Sequence, residues 1–267
     1  MRMLSKLIVS CAIAVAGSVS AAERPVVVAV IDSGIDDRLI GSPMLCKSGH
    51  RDFTGTSLSD RAGHGTHISG LIDQHVKNKF ITDSYSARSV KEQRANYCQV
   101  IIKFYDPYMD RANSIRAMID SIKWAIELNV DVINISAGGS VSNEEEQKYV
   151  KYALDKGIKI VAAAGNDGCD LGTSGYSCDR MKTRKVECKY FPAMYDERIT
   201  VVGNGQQSAT RNPSSNYGPY VSSWEDGTNA ISYGTYAEIS TNTGTSQAAA
   251  IKTGKIVNSI IKIATPR

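Results

Sequence analysis

Runs in which nearly every residue is apolar recur along the chain, and each stops abruptly. Val26 to Ile31 (VVVAVI) ends in Asp-Ser-Gly. Gln99 to Phe104, Val130 to Ile135, Ile158 to Ala164 and Ile199 to Val202 repeat the type. Unbroken apolarity, in place of the alternation of a sheet with one wet face, marks strands buried on both sides of a parallel sheet. Between the runs the period changes. Ile115, Met118, Ile119, Ile122 and Ile126 recur at helical spacing. A second helix is signalled by Ser142 and Glu145 as a capping box, Glu144 facing Lys148, and Gly157 as its stop. Ala248 to Ile263, small and apolar at its start, is a further helix. Strand–helix–strand repetition predicts an α/β domain whose parallel sheet is covered on both faces. Cys169–Lys189 and Ala209–Thr243 lack either period and read as long loops, with Lys182–Lys185 as solvated loop surface.

Composition narrows this further. A chain of 267 residues suits one such domain, and 42% hydrophobic with 22% charged positions excludes wholesale disorder and a multi-span membrane protein. The N-terminus has its own pattern. Arg2 and Lys6 precede an almost wholly apolar stretch, Leu7 to Val19, followed by Ser20, Ala21 and Ala22. That is the anatomy of a cleaved export signal, and the apolar stretch is too short to cross a bilayer comfortably. Ile8-Val9-Ser10-Cys11 resembles a lipobox, but the longer apolar run follows Cys11 instead of preceding it. The expected organisation is a signal peptide over 1–22 and one domain over 23–267, secreted or periplasmic, without a stable membrane anchor. Beyond Ala22 the chain carries 29 bases against 27 acids, which gives no reason to expect nucleic acid as partner.

Export makes the cysteines informative. Cys46, Cys98, Cys169, Cys178 and Cys188 remain after the signal, an odd number that implies two disulfides and one leftover thiol. Cys46 and Cys98 are isolated from the rest and free to pair, while the other three crowd one stretch. None is spaced C-x-x-C, which speaks against a zinc site.

Candidate chemistry sits where strands end and helices begin. Asp32 directly follows the first strand, at the edge where open α/β sheets place ligands. Gly63-His64-Gly65-Thr66-His67 opens a helix through Ile68 and Leu71, the flanking glycines leaving the His64 imidazole accessible. Gly244-Thr245-Ser246 leads into the C-terminal helix, where backbone N–H groups can hold an oxyanion. Singly, each has a plain reading: a turn, a helix start, a cap; His64 and His67 could also be a metal pair. Together they supply nucleophile, base and orienting carboxylate in the order Asp…His…Ser, one of the known chain orders of the serine hydrolase triad. Asn166, in Ala162-Ala163-Ala164-Gly165-Asn166-Asp167-Gly168, follows a buried strand and adds an amide donor for the oxyanion.

These motifs resemble those of the subtilisin-like serine peptidases (subtilases, peptidase S8). Val30-Ile31-Asp32-Ser33-Gly34, His64-Gly65-Thr66-His67-Ile68-Ser69-Gly70 and Gly244-Thr245-Ser246 are similar to the family's three catalytic blocks. The resemblance runs from Val26 to about Gly254. It implies a three-layer α/β/α sandwich with a mostly parallel seven-stranded sheet. It implies Ser246 as nucleophile, His64 as base and then acid, Asp32 as orienter and Asn166 as oxyanion donor. Ser136, Ala137 and Gly138 look like the segment that pairs with substrate backbone and walls the S1 pocket. In Tyr190-Phe191-Pro192, Tyr190 falls at the S1 floor, where the family often has a small residue, so small P1 side chains are expected; the Phe191–Pro192 bond is expected to be cis. Gln247 and Ala250 depart from the usual serine block, and Glu225-Asp226-Gly227 stands where Ala-Pro-Gly is common.

The implied function is an exported serine endopeptidase working on protein or peptide substrates through an acyl-enzyme. The alternatives are a catalytically impaired subtilase acting as a binding module, which a missing fluorophosphonate label would indicate, and an esterase. No cofactor is required for the chemistry. Calcium is a common structural ion in the family, but no ligand set maps onto named positions and any metal site is unknown. Only Glu23, Arg24 and Pro25 separate the signal from the first strand, so a single processing step is expected. A separate protein acting in trans as chaperone or inhibitor would then replace a propeptide.

Overall fold

The computed structural model describes residues 24–77, 96–172, 188–236 and 238–264. The expected signal segment, Cys11, Cys178 and the Lys182–Lys185 run lie outside them. Seven strands form one sheet: β1 (Val26–Asp32), β2 (Arg51–Asp52), β3 (Tyr97–Lys103), β4 (Val132–Ile135), β5 (Lys159–Ala163), β6 (Thr200–Asn204) and β7 (Ser223–Glu225). Their order is β2-β3-β1-β4-β5-β6-β7, and every pairing is parallel. Among the described residues four α-helices cover it: α1 (His64–Lys77), α2 (Arg111–Glu127), α3 (Glu144–Asp155) and α4 (Thr245–Ala264).

The unbroken apolar runs are explained by two cores, one on each face. In β1, Ala29 and Ile31 pack with Met118, Ile122, Val150 and Ala153 of α2 and α3. Val26, Val28 and Val30, on the opposite face, pack with Ile68, Ile72, Ala249 and Val257 of α1 and α4. β4 and β5 divide likewise, Ile133, Ile135, Ile160 and Ala162 on one side, Val132, Val161 and Ala163 on the other. A period of two is present, but both phases are dry. Helices α1 and α4 pack so closely that a Cβ on Gly254 would fall 2.6 Å from His75 Cβ and 2.7 Å from Ile72 O. The small residue there keeps the two helices in register.

Three expectations need correction. The α3 cap is Asn143, whose Oδ1 accepts from Glu146 N at 3.0 Å, and not a Ser142–Glu145 box. Asn at an N-cap serves as well as Ser. Nor does Glu144 pair with Lys148: Lys148 lies over the Tyr149 ring, and it is Glu145 that forms an ion pair with α2, to Lys123 at 2.7 Å. The stretch Ala209–Thr243 is not one long loop. It holds β7 and an antiparallel hairpin, β8 (Ala230–Tyr233) with β9 (Ile239–Asn242), too short and polar to show a period. Two disulfides, Cys46–Cys98 and Cys169–Cys188, are present among the described residues, and the Phe191–Pro192 bond is cis.

Strand order decides where the site lies. After β1 the chain passes through α1 to β3 on one flank; after β3 it passes through α2 to β4 on the other. The loops leaving the carboxyl ends of these strands therefore diverge at β1, which ends in Asp32. Such a switch point opens a crevice without any help from side chains.

Candidate active site

Asp32, the last residue of β1, is 2% exposed. Its Oδ1 accepts from Ser33 N at 2.7 Å and from His64 Nδ1 at 2.8 Å. Oδ2 is buried with no partner among the described residues. His64 opens α1, so helix geometry fixes its backbone while its ring stays partly accessible. A proton on Nδ1 is what the carboxylate requires, which leaves Nε2 as the lone-pair nitrogen. Burial pushes the imidazole pKa down, but the charge and hydrogen bond of Asp32, with a smaller contribution from Asp60, outweigh it and hold it above 6.5.

Asp60 was not singled out by the sequence reading. Its Oδ1 accepts from Ser33 Oγ (2.8 Å), Ala62 N (3.1 Å) and Gly63 N (2.8 Å); its Oδ2 accepts from Thr66 N (2.8 Å) and Thr66 Oγ1 (2.7 Å). Ser33 Oγ in turn accepts from Gly65 N at 2.9 Å. One carboxylate thus collects the orphan donors at the start of α1 and ties them to the turn after β1, which fixes His64 against Asp32. The signal was there, an Asp four residues before a helix-opening His, but it reads first as an ordinary turn residue.

Ser246 is the second residue of α4. Its hydroxyl donates to Ser136 O at 2.7 Å, not to His64, and Ser136 Oγ donates back to Ser246 O at 3.0 Å. Loose or misdirected catalytic hydrogen bonds are common before substrate binds. Asn166 is oriented unambiguously. Its Oδ1 accepts from Thr245 N at 2.9 Å and lies 3.1 Å from Thr245 Oγ1, a role only the oxygen can fill, so Nδ2 is the free donor. Asn216 holds the Asn166 loop, donating to Ala164 O at 2.9 Å and accepting from Asp167 N at 3.0 Å and Cys169 N at 3.1 Å. His64, Asn166 and Ser246 line one cavity of about 670 Å³.

Of the residues expected to meet substrate, Ser136 touches Ser246, Ala137 and Gly138 line a neighbouring cleft, and Tyr190 lines neither cavity. Ser136, Ala137 and Gly138 leave the carboxyl end of β4, and Gly139 bridges to Phe191 through hydrogen bonds of 2.9 and 2.8 Å. The Tyr190 ring is wedged between two glycines. A Cβ on Gly138 would fall 2.5 Å from Tyr190 Cε1, and one on Gly165 2.8 Å from Cδ2. Burial, with Asp167 adding to it, raises the Tyr190 phenol to about 12. A second cleft of about 640 Å³, lined also by Ala137 and Gly138, begins at Asp32 and His64 and runs over the α2–α3 layer.

His67 is not a partner of His64 for a metal. It is fully buried, and its Nε2 lies 3.1 Å from Ala230 O and 3.2 Å from Ser240 O, pinning the β8–β9 hairpin to α1. Burial holds this imidazole below its ordinary value. Among the described residues no group of three or more His, Cys, Asp or Glu side chains converges as a metal donor set.

Comparison with known proteins bears on what such a crevice belongs to. Subtilisin of Bacillus pumilus is 31% identical over 188 residues, 68% of this chain and 58% of that protein. Mycosin-1 of Mycolicibacterium smegmatis is 29% identical over 234 residues, 78% of this chain and 51% of that protein. The chain thus spans little more than half the length of these curated relatives. Among solved structures, MycP1 with its N-terminal propeptide removed superposes with a TM-score of 0.61 at 26% identity, covering 86% of this chain and 76% of that one. The epidermin leader peptide processing serine protease of Staphylococcus aureus shares the fold, with a TM-score of 0.70 at 19% identity over 91% of this chain and 66% of its own. The model of the Subtilase family, peptidase S8, matches residues 23–259, and the chain belongs to that family.

Proposed function

We propose that the chain is an exported serine endopeptidase that cleaves peptide bonds through Asp32, His64 and Ser246 by way of an acyl-enzyme. The observation that carries this reading is the 2.8 Å Asp32–His64 hydrogen bond, which leaves Nε2 basic beside a cavity lined by Ser246 and Asn166. Ser246 Oγ turns from Ser136 O to His64 Nε2, gives up its proton there and attacks the substrate carbonyl. The same rotation frees Ser136 O to accept from the substrate backbone along Ser136–Gly138. Negative charge on the carbonyl oxygen is met by Asn166 Nδ2 and the Ser246 N–H, one of the first four helix amides with no acceptor in the helix's own ladder. His64, now cationic and held by Asp32, passes the proton to the leaving amine, and water then releases the acyl group with His64 again as base. Export is supported by the N-terminal pattern and by the two disulfides, which persist in oxidising compartments.

Fluorophosphonate labelling beside a peptidase assay on the purified protein tests the proposal: label at Ser246 with peptide cleavage supports it, and a protein that neither labels nor cleaves overturns it. Asn166→Ala is expected to lower kcat by about 10²–10³-fold with KM little changed, a magnitude taken over from the oxyanion donor of a related subtilisin. An unchanged kcat removes Asn166 from the mechanism.

Tyr190 extends the reading to substrate choice. Its ring packs between Gly138 and Gly165, and with Tyr190 at the S1 floor, as the family resemblance implies, Gly, Ala or Ser suits P1. Tyr190→Gly is expected to raise kcat/KM for substrates with P1 Leu or Phe by roughly tenfold or more, since a pocket discriminates side chains by what physically enters it. Efficient cleavage after Phe by the unaltered protein would sink this assignment.

A further inference from the structure

The cleft that runs from the triad over the α2–α3 layer is walled by apolar groups, among them Met109, Ile115, Met118, Val141 and Phe191. A buried charge interrupts this apolar wall away from the triad. Glu146, in the first turn of α3, is 8% exposed. Its Oε2 accepts a hydrogen bond from Tyr195 OH at 2.7 Å; its Oε1 has no hydrogen-bond partner among the described residues. Burial raises its pKa above 4.5, and the Tyr195 hydrogen bond offsets this only in part. A buried carboxylate held by a single neutral donor is costly, and proteins normally pair or replace such a group.

A purely architectural duty does not account for it. The α3 cap is made by Asn143, and Glu144 and Glu145 already supply negative charge to the helix start. Tyr195 OH is also anchored without it, accepting from Asn143 N at 2.7 Å. An apolar side chain at 146 would complete the wall. The other charged groups of the cleft lining are Asp32, His64 and Arg111; Arg111 is exposed at the start of α2, and the hydrogen bond of Glu146 goes to Tyr195.

We propose that Glu146 is a specificity-determining residue that selects a lysine or arginine side chain of the substrate. The methylene stem of such a side chain lies along Met109, Ile115 and Met118, as long cationic side chains do on apolar surface, and its charge meets Glu146 Oε1. The proposal rests on the peptidase reading, which also sets the position. An extended substrate places alternate side chains on one face, so the residues at P2 and P4 share this cleft. P2 lies against His64, next to the reacting bond. P4, about 7 Å farther along the strand, reaches the α3 end where Glu146 stands.

Internally quenched peptides with Ala at P1 and Lys, Arg, Leu, norleucine or Glu at P4 test this on the purified protein. Lys and Arg are expected to exceed Leu and norleucine in kcat/KM by about tenfold or more, with Glu lowest, because the apolar isosteres leave the carboxylate unpaired. Glu146→Gln keeps an acceptor for Tyr195 but removes the charge. It should lower kcat/KM for P4 Lys by on the order of 10- to 100-fold while cleavage of the Leu peptide is retained. Glu146→Leu should reverse the preference. Active protein with Leu equal to Lys, or a Lys/Leu ratio unchanged in Glu146→Gln, overturns the role of Glu146 and leaves the peptidase reading standing. No cleavage of any peptide overturns both.

Discussion

Ser246→Ala is expected to lower kcat by roughly 10⁶-fold, with folding intact; the figure is carried over from nucleophile removal in a related subtilisin. Two local facts make the substitution clean. Ser246 lies at the start of α4, where Ala is a good helix former, and its hydroxyl touches only Ser136 O in the resting structure. The loss should therefore appear in kcat and in fluorophosphonate labelling, and not in the melting temperature. What remains should exceed the reaction in water by about 10³–10⁴-fold, because Asn166 and the helix amides still face the carbonyl oxygen. Retained full activity in this variant would end the triad reading. A fall in melting temperature of many degrees would mean that the hydroxyl bond to Ser136 holds the β4–α4 junction together.

Asp32→Asn should cost roughly 10⁴-fold in kcat, the order seen when a triad aspartate loses its charge. Its pH dependence separates orientation from mere packing. In the unaltered protein the charge of Asp32 is the main influence raising His64 above 6.5 against the effect of burial. Activity needs neutral His64, so the acid limb of kcat/KM should have its midpoint above 6.5 and fall away below it. Removing the charge leaves burial unopposed, so the residual activity of Asp32→Asn should have an acid limb below 6.5. Stability follows the same linkage with its own sign. A histidine whose folded pKa is raised stabilises the fold fully below its unfolded pKa, and loses that contribution as pH rises through the folded value. The melting-temperature deficit of Asp32→Asn should therefore be larger at pH 6 than at pH 9. Equal midpoints in the two proteins would show that Asp32 does not set the protonation of His64.

How much of this could be read in advance depended on range. The buried strands were legible because both faces of β1, β4 and β5 are dry, so composition alone marks them. Asp32, His64, Asn166 and Ser246 stand out as candidates because each sits in a short block whose glycines and small residues serve the local turn. The α3 cap was misplaced by one residue because Ser142 and Asn143 are equally able caps, and only the approach of the chain chooses between them. β7 and the β8–β9 hairpin were missed because strands of three or four residues depend on partners far along the chain.

By itself the sequence determined the α/β class, the two-sided sheet, the chain order of Asp32, His64 and Ser246, and the family. These are properties of periodicity and of local blocks, and they survive without knowing what lies opposite. The tertiary structure alone decided the rest. It turned Asp60 from a turn residue into the acceptor of five donors around His64, and His67 from a candidate metal ligand into the anchor of a hairpin. It made Glu146, one of three consecutive glutamates, the buried carboxylate of an apolar cleft while its two neighbours in sequence stay exposed or half-buried. The difference is physical. A side chain's charge and size belong to the residue, but its burial, its partners and its proton affinity belong to whatever the rest of the chain packs against it.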